Sequence, residues 1–366
     1  MDFYVFRSQR TRIVGAQRSV LSQICKLCIT FTLVATGFKI AFAEIPKATI
    51  DNGILHATVY LPAPVNGFYR GTRFDWSGVI GDLTFAGHSY YGPWFTKTDP
   101  AVRDFIFDGA NITAGSCSAI TGPSEEFVTQ EGPPLGFNRA TAGQTFVKIG
   151  VGMLRKPDDK PYDTYRLYEI VDSGRWKVRA KSTSIEFTQQ IVDKSSGYGY
   201  SYTKILRLEP GRPVLVIEHV LKNLGRLPIV TSVYDHNFLV LDHQTTGPDF
   251  QVRFPFPIQS EKPVKADLGA VEGDRILYRK KLQGRDVFTA YVGGFNATPR
   301  DNDIRIENSR VGVGVRITGD QPLEKEELWS IRSTVAMEPF IHMAVAPGKT
   351  FRWSYSYLYY TLGQKK

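Results

Sequence analysis

From about residue 48 onward, apolar positions recur with a period of two. Ile54-Leu55-His56-Ala57-Thr58-Val59-Tyr60-Leu61 is a β-rich run closed by Pro62 and Pro64. Trp176, Val178 and Ala180 alternate with Lys177, Arg179 and Lys181. Runs of the same kind cover Tyr202 to Leu208, Val214 to Leu221, Ile229 to Tyr234, Val287 to Val292 and Val311 to Ile317. The last run sets Phe351, Trp353, Tyr355, Tyr357 and Tyr359 against Arg352, Ser354, Ser356 and Leu358. Strict alternation puts one set on a buried face and the other on a wetter one. Gly312 and Gly314, inside such a run, point to a bulge or a close backbone approach.

Turn signals such as Pro210-Gly211 and Asn223-Leu224-Gly225 break the runs at intervals of about 8–12 residues, the spacing of sandwiches and barrels. Helical periodicity is nearly missing, and only Asp99 to Phe107, after Pro100, reads as a short helix or turn. No linker splits the chain and no internal repeat is evident. The pattern predicts one large all-β domain over residues 44–366, an antiparallel β-sandwich.

Residues 1–43 read differently, as an export signal. A basic stretch runs to Lys26, twelve largely apolar residues follow from Leu27 to Phe38, and Ala41-Phe42-Ala43 offers a cleavage site before Glu44. Twelve helical residues span roughly 18 Å, short of the roughly 30 Å hydrocarbon core, so no stable membrane span is expected after cleavage. The expected location is outside the cytoplasm, periplasmic or extracellular; retention as an anchor is the alternative.

That leader also explains the charge. The whole chain carries +9, but residues 1–43 hold six Lys or Arg against one Asp. The remaining 323 residues keep 39 basic and 35 acidic side chains, an ordinary balance that argues against a nucleic-acid partner. Cys25 and Cys28 lie in the apolar leader, which leaves Cys117 alone with no internal disulfide to form. The 23 Phe, 18 Tyr and 5 Trp, with 33 Gly and 21 Pro, suit a sheet protein that binds a sugar-like or flat apolar ligand.

No phosphate loop, zinc spacing or nucleophile-elbow motif is present, so no cofactor or metal is expected, and the chemistry must come from side chains gathered by the fold. Three places carry candidates. Asn66 to Gly78, continuing through Gly87 to Phe95, interleaves Arg73, Asp75 and His88 with Trp76 and Trp94. Ring faces for sugar C–H groups and charges for hydroxyls are what a carbohydrate site needs. The same stretch also describes a hairpin whose aromatics are core and whose Arg73 pairs with Asp75 on the surface. Tyr234-Asp235-His236-Asn237-Phe238 ends a predicted strand, where His236 is either a general acid or a packed histidine. Glu338, in Ala336-Met337-Glu338-Pro339-Phe340, is a carboxylate among apolar residues, functional or merely at a strand end. Glu126, Glu131, Glu218 and Asp249 have weaker claims.

Taken together these segments resemble the galactose-mutarotase-like superfamily, the aldose 1-epimerases and their relatives. The resemblance rests on Gly81-Asp82-Leu83-Thr84-Phe85-Ala86-Gly87, on Asn223-Leu224-Gly225 through His236-Asn237-Phe238, and on Met337-Glu338-Pro339 through Pro347-Gly348-Lys349 to Tyr355. These cover roughly residues 50–360 in the family's order. The resemblance implies a β-supersandwich with a sugar on its concave face, His236 as general acid and Glu338 as general base. It implies an exported aldose 1-epimerase-like enzyme that interconverts anomers without cofactor. Arg73, Asp75, His88, Trp94, Tyr234 and Asn237 are the substrate-binding candidates. The family's Asn-Arg and His-Gly elements have no local match, and Pro134-Leu135-Gly136-Phe137 lacks the expected His. His236 and Glu338, 102 residues apart, are expected on opposite sides of a pyranose-sized space, with an aromatic wall from the Trp76–Trp94 region. A polysaccharide lyase using Arg73, Tyr234, His236 and Asn237, or a non-catalytic carbohydrate-binding protein, are the alternatives.

Overall fold

A computed structural model describes residues 44–129 and 132–363; the expected leader, with Ala41-Phe42-Ala43, and Glu131 lie outside the described residues. Two antiparallel sheets dominate. The larger has ten strands and begins at an edge with Arg175–Ala180, Ser184–Val192, Gly199–Leu208 and Val214–Asn223. The last strand of the chain, Thr350–Thr361, comes next, followed by Val313–Gly319, Asp303–Asn308, Phe250–Arg253, Arg275–Tyr278 and Gly269–Glu272. The smaller sheet has six strands in the order Gln259–Ser260, Phe288–Gly293, Lys325–Ile331, Thr334–Val345, Ile229–Phe238 and Gly122–Val128. Three smaller sheets from residues 47–172 accompany them. Helix is confined, among the described residues, to three single 3₁₀ turns. The fold is the all-β antiparallel sandwich that the alternation predicts.

The alternation also sets which atoms fill the space between the sheets. Trp353, Tyr355, Tyr357 and Tyr359 point inward from the last strand and are essentially fully buried, while Arg352, Ser354 and Ser356 face out. Each buried ring contributes about 2–3 kcal/mol by leaving water. Their hydroxyls find partners across the layer. Tyr357 donates to Asn237 Oδ1 at 2.8 Å, and Tyr355 donates to the Pro339 carbonyl at 3.3 Å.

Two local expectations, each with two alternatives, resolve. Residues 99–107 form no helix: a turn after Asp99 leads into the strand Phe105–Asp108, which pairs with Asn111–Ala114. Phe105 and Phe107 share one side of that strand, so period two overrides the proline signal. Gly312 sits in a turn at φ +72°, outside the strand that starts at Val313. Gly314 is the close approach: a Cβ there would lie 2.8 Å from the Tyr360 ring.

Candidate functional site

The strand Ile229–Phe238 lies between Gly122–Val128 and Thr334–Val345, and its alternation divides its side chains between two environments. Tyr234, His236 and Phe238 turn to a cleft of about 760 Å³, and Asp235 and Asn237 turn to the ten-stranded sheet. The register that pairs Tyr234 with Phe340 continues to the Leu239–Val335 bridge, so His236 and Glu338 are direct cross-strand neighbours. Asn237 holds that register by donating from Nδ2 to the Met337 carbonyl at 3.0 Å.

His236 Nε2 lies 3.2 Å from Glu338 Oε1. The two groups therefore share one wall of the cleft and do not stand on opposite sides of a sugar-sized gap as expected. Cross-strand neighbours have Cβ atoms only about 5 Å apart, too close to admit a ring between them. Burial pushes His236 well below its ordinary range, and the Arg73 guanidinium adds to this. Burial also raises Glu338 to about 8, helped by the carboxylate of Glu327, its cross-strand neighbour on Lys325–Ile331. Near neutral pH the pair is uncharged and holds one proton, on Glu338.

Beside this pair a charged group is fixed by tight hydrogen bonds. Arg73 donates from Nε to Glu126 Oε2 at 2.7 Å and from its fork to the Tyr234 hydroxyl at 3.1 Å. Tyr234 donates to the same Glu126 oxygen at 2.5 Å. Lys148 and the Thr164 hydroxyl donate to Glu126 Oε1 at 3.1 and 2.7 Å. Burial works to raise Glu126, but Lys148 and Arg73 outweigh it and hold the carboxylate well below its usual range. Burial lowers Lys148, with Glu126 opposing. Arg73 also lies over the rings of Phe74 and Tyr165, at 4.4 and 5.0 Å.

The aromatic wall is made of Trp94, Phe238, Trp329 and Phe340. His236 stacks on Phe238 at 3.7 Å, Phe238 on Trp94 at 5.7 Å, and Trp329 meets the His236 ring edge-on. Trp76 is elsewhere, buried with its indole N–H on the Gly71 carbonyl.

Of the sequence-derived candidates, the fold brings Arg73, Trp94, Tyr234, His236 and Glu338 to one cleft. It takes three away. Asp75 is buried between the layers, accepting from Ser77 and lying 3.8 Å from Lys204, and makes no surface pair with Arg73. His88 meets Asp242 at 2.6 Å, where Asp242 adopts a left-handed backbone (φ 45°). Asn237 faces the other sheet and accepts from Tyr357. Asp75 faces inward because Trp76 N–H bonds Gly150 O, and a Cβ on Gly150 (φ +79°) would lie 2.7 Å from Asp75. Glu126, Lys148, Glu327 and Trp329 belong to the cleft, or hold groups that do, without a strong sequence signal of their own.

Among the described residues, the one group spaced like metal ligands is Glu125, His219 and Asp235 between the sheets. The Lys204 ammonium contacts Glu125 there and donates to the Ser77 carbonyl at 3.0 Å, supplying a positive charge from the chain itself.

No family model matches the chain, and no curated protein matches it. Among solved structures it is similar to an aldose epimerase homologue from C. elegans (TM-score 0.49, 13% identity, covering 87% of this chain and 100% of that one). It is similar also to a galactose mutarotase related enzyme from Lactobacillus acidophilus (0.48, 12%, 87% and 99%). A galactose mutarotase-like protein from Lactobacillus casei follows at 0.46 and 11%, over 86% and 100%. These are likenesses of chain trace, at identities too low to carry any residue's role across.

Proposed function

We propose that the cleft binds a carbohydrate and interconverts its anomers, with His236 and Glu338 moving the protons. The observation that carries this reading is their 3.2 Å contact on the wall of a cleft that combines stacking rings with a fixed charged group. Ring opening removes the proton from the anomeric hydroxyl and delivers one to the ring oxygen as the C1–O5 bond breaks. Both oxygens are bonded to the same carbon, so a donor and an acceptor side by side on one wall can serve both. With the proton on Glu338, the carboxylic acid protonates the ring oxygen and the neutral imidazole takes the hydroxyl proton. Rotation about C1–C2 and closure by the reverse transfers give the other anomer and regenerate a pair holding one proton. A shift of that proton from Glu338 to His236 gives the imidazolium–carboxylate form, with the roles exchanged and the same proton count.

Arg73 borders the sugar's place as a fixed charge held by Glu126, and Trp329 and Trp94 are positioned to stack on the sugar's C–H face. Elimination from a uronate fits less well. Burial raises the Tyr234 hydroxyl far above a useful basicity, and Arg73 is already committed to Glu126. We also propose, on Leu27 to Phe38 and Ala41-Phe42-Ala43, that the chain is exported and cleaved before Glu44. N-terminal sequencing of exported material checks this; a mature start still within the first 38 residues contradicts it.

Exchange between α and β anomers, followed by NMR saturation transfer over a panel of aldoses, tests the reading. At least one sugar should exchange faster with the protein than without it, and His236→Ala or Glu338→Gln should remove about 10²–10⁴-fold of that enhancement. Near-native exchange in either variant overturns it. An ultraviolet-absorbing unsaturated product from uronate oligomers replaces it with the lyase, and sugar binding without any exchange with the binding module.

A further inference from the structure

The outer face of the ten-stranded sheet concentrates the positive charge of the domain. Within its strands that face presents ten Arg or Lys (Arg175, Lys177, Arg179, Arg207, Lys222, Arg352 and the four arginines below) against five Asp or Glu. With Asp274, in the turn beside Arg275, the excess is four, equal to the excess for all of residues 44–366. The rest of the domain is close to neutral.

Four of these cations form one row. Arg275 pairs with Arg253, Arg253 with Arg305, and Arg305 with Arg316, each directly opposite the next across adjacent strands. Like charges in direct opposition destabilise a sheet. Asp274 answers Arg253 and Arg275, and Asp303 answers Arg316 at 2.6 Å, while Arg305 has no acidic partner and is exposed. Arg253 Nε is buried without a hydrogen-bond acceptor, and a hollow of about 310 Å³ opens beside Arg253 and Arg305, with Asp274 and Asp303 also on its wall. Toward the opposite edge, Arg175, Lys177, Lys222 and Arg352 are exposed and outside any ion pair. Protection of an edge strand accounts for Arg175, Lys177 and Arg179. It does not account for a row running through the interior of the sheet.

We infer that this face is a docking surface for an acidic polysaccharide, a polyuronate, lying across the strands on the side of the sandwich away from the cleft. Cations on adjacent strands are about 4.8 Å apart, and ten strands span about 43 Å, a track suited to a polymer and too long for a single sugar. Guanidinium forks match planar carboxylates. Between the cations lie Thr188, Gln190, Ser201, Thr203, Ser354 and Ser356, hydrogen-bonding groups suited to sugar hydroxyls. A membrane surface is disfavoured because Val192 is the one markedly exposed large apolar side chain on this face among the described residues.

The test measures retention of the full-length mature protein by polygalacturonate at about 0.01 M and about 0.15 M salt, where the Debye length is about 30 Å and about 8 Å. Binding is expected at low salt, weakening as salt rises, with no retention by neutral dextran. The triple variant Lys177→Glu, Arg305→Glu, Arg352→Glu should bind at least about tenfold more weakly. The milder triple change to Gln should fall between it and the parent, and melting curves identify any variant that fails to fold. Monomeric galacturonate should not compete. No retention of the parent at low salt overturns the inference, as does unchanged binding in both folded variants. Equal affinity for phosphatidylglycerol vesicles or duplex DNA overturns the choice of polysaccharide. The readout is binding alone, so it stands or fails separately from anomer exchange in the cleft.

Discussion

Glu126 faces the cleft, while Glu125, one residue earlier on the same strand, faces the ten-stranded sheet, and the two carboxylates end in different settings. Glu125 contacts the Lys204 ammonium and accepts from His219 Nε2 at 2.7 Å, with Asp75 and Asp235 nearby. His219 in turn stacks on Trp353 at 4.5 Å. Burial works to raise Glu125, but Lys204 and His219 hold it down to about 2, while burial leaves Asp75 at about 7 and Asp235 well above its usual value. That cluster is closed: its charges answer one another, and every member is enclosed by the two sheets. The Glu126 group is fixed just as firmly, yet it borders a cleft where His236 and Glu338 have hydrogen-bonding capacity to spare. Unpartnered buried polar atoms occur in both settings, His236 Nδ1 at the cleft and His219 Nδ1 and Asp235 Oδ1 between the sheets. Neither charge nor unspent hydrogen bonding alone marks a site on this fold; the two beside open volume do.

The sharpest way to separate the two regions is to damage each and read both stability and activity. Lys204→Met leaves the Glu125 side without its cation and should cost about 3–5 kcal/mol in urea unfolding. Glu338→Gln should not lower stability, and near neutral pH should raise it, while losing about 10²–10⁴-fold in anomer exchange. If Lys204→Met unfolds like the parent, the cluster is not the structural element described here. A smaller effect is expected from Glu126→Gln, which leaves Arg73 and Lys148 without a full counter-charge. It should cost about 2–3 kcal/mol of stability and also slow exchange, because this residue belongs to both accounts.

Acidity distinguishes the regions again. Glu125 sits at about 2 when folded against an ordinary 4.5, so its stabilisation is present above about pH 4.5 and drains as pH falls toward 2. Asp75 and Glu338, at about 7 and about 8, act in the opposite sense. The folded chain keeps protons that the unfolded chain has released, so stability declines as pH rises from about 4 to about 8. Glu338→Gln should flatten the upper part of that decline, measured by unfolding at several pH values. The smallest expected effect is kinetic. Exchange needs the one-proton pair, so it should fall at alkaline pH as Glu338 ionises. Glu327→Gln should move that fall to lower pH by up to about one unit.

Much of the architecture was legible because alternation reports burial directly. The runs at Tyr202–Leu208, Val214–Leu221 and Phe351–Tyr359 are strands with the expected inward sets. The closed cluster left a trace in those same runs. Lys204 falls in phase with Tyr202, Leu206 and Leu208, and His219 in phase with Ile217 and Leu221. A polar residue on the apolar phase of a central strand needs a buried partner. The Glu125-Glu126 doublet carried a similar hint, since neighbours in a strand face opposite ways. Which partner each would find was not legible, because Glu126 meets Arg73 and Lys148 through loops that no periodicity describes. His236 and Glu338 were visible as residue types, but their side-by-side geometry depends on the register of two strands about 100 residues apart. Asp75 and His88 were misplaced for a related reason: aromatic and charged residues close in sequence were read as close in purpose.

The strand Thr350–Thr361 has a consequence for the timing of synthesis. It follows every other strand of the ten-stranded sheet along the chain, and it takes its place in the interior of that sheet, between Val214–Asn223 and Val313–Gly319. Until it arrives, two half-sheets wait with open edges, and at about 5–20 residues per second that interval lasts many seconds. The ten-stranded sheet is therefore incomplete until residues 350–361 have been made. A stop codon before residue 350 would take out the middle of the sheet, and the product would be two exposed β-edges in search of a partner.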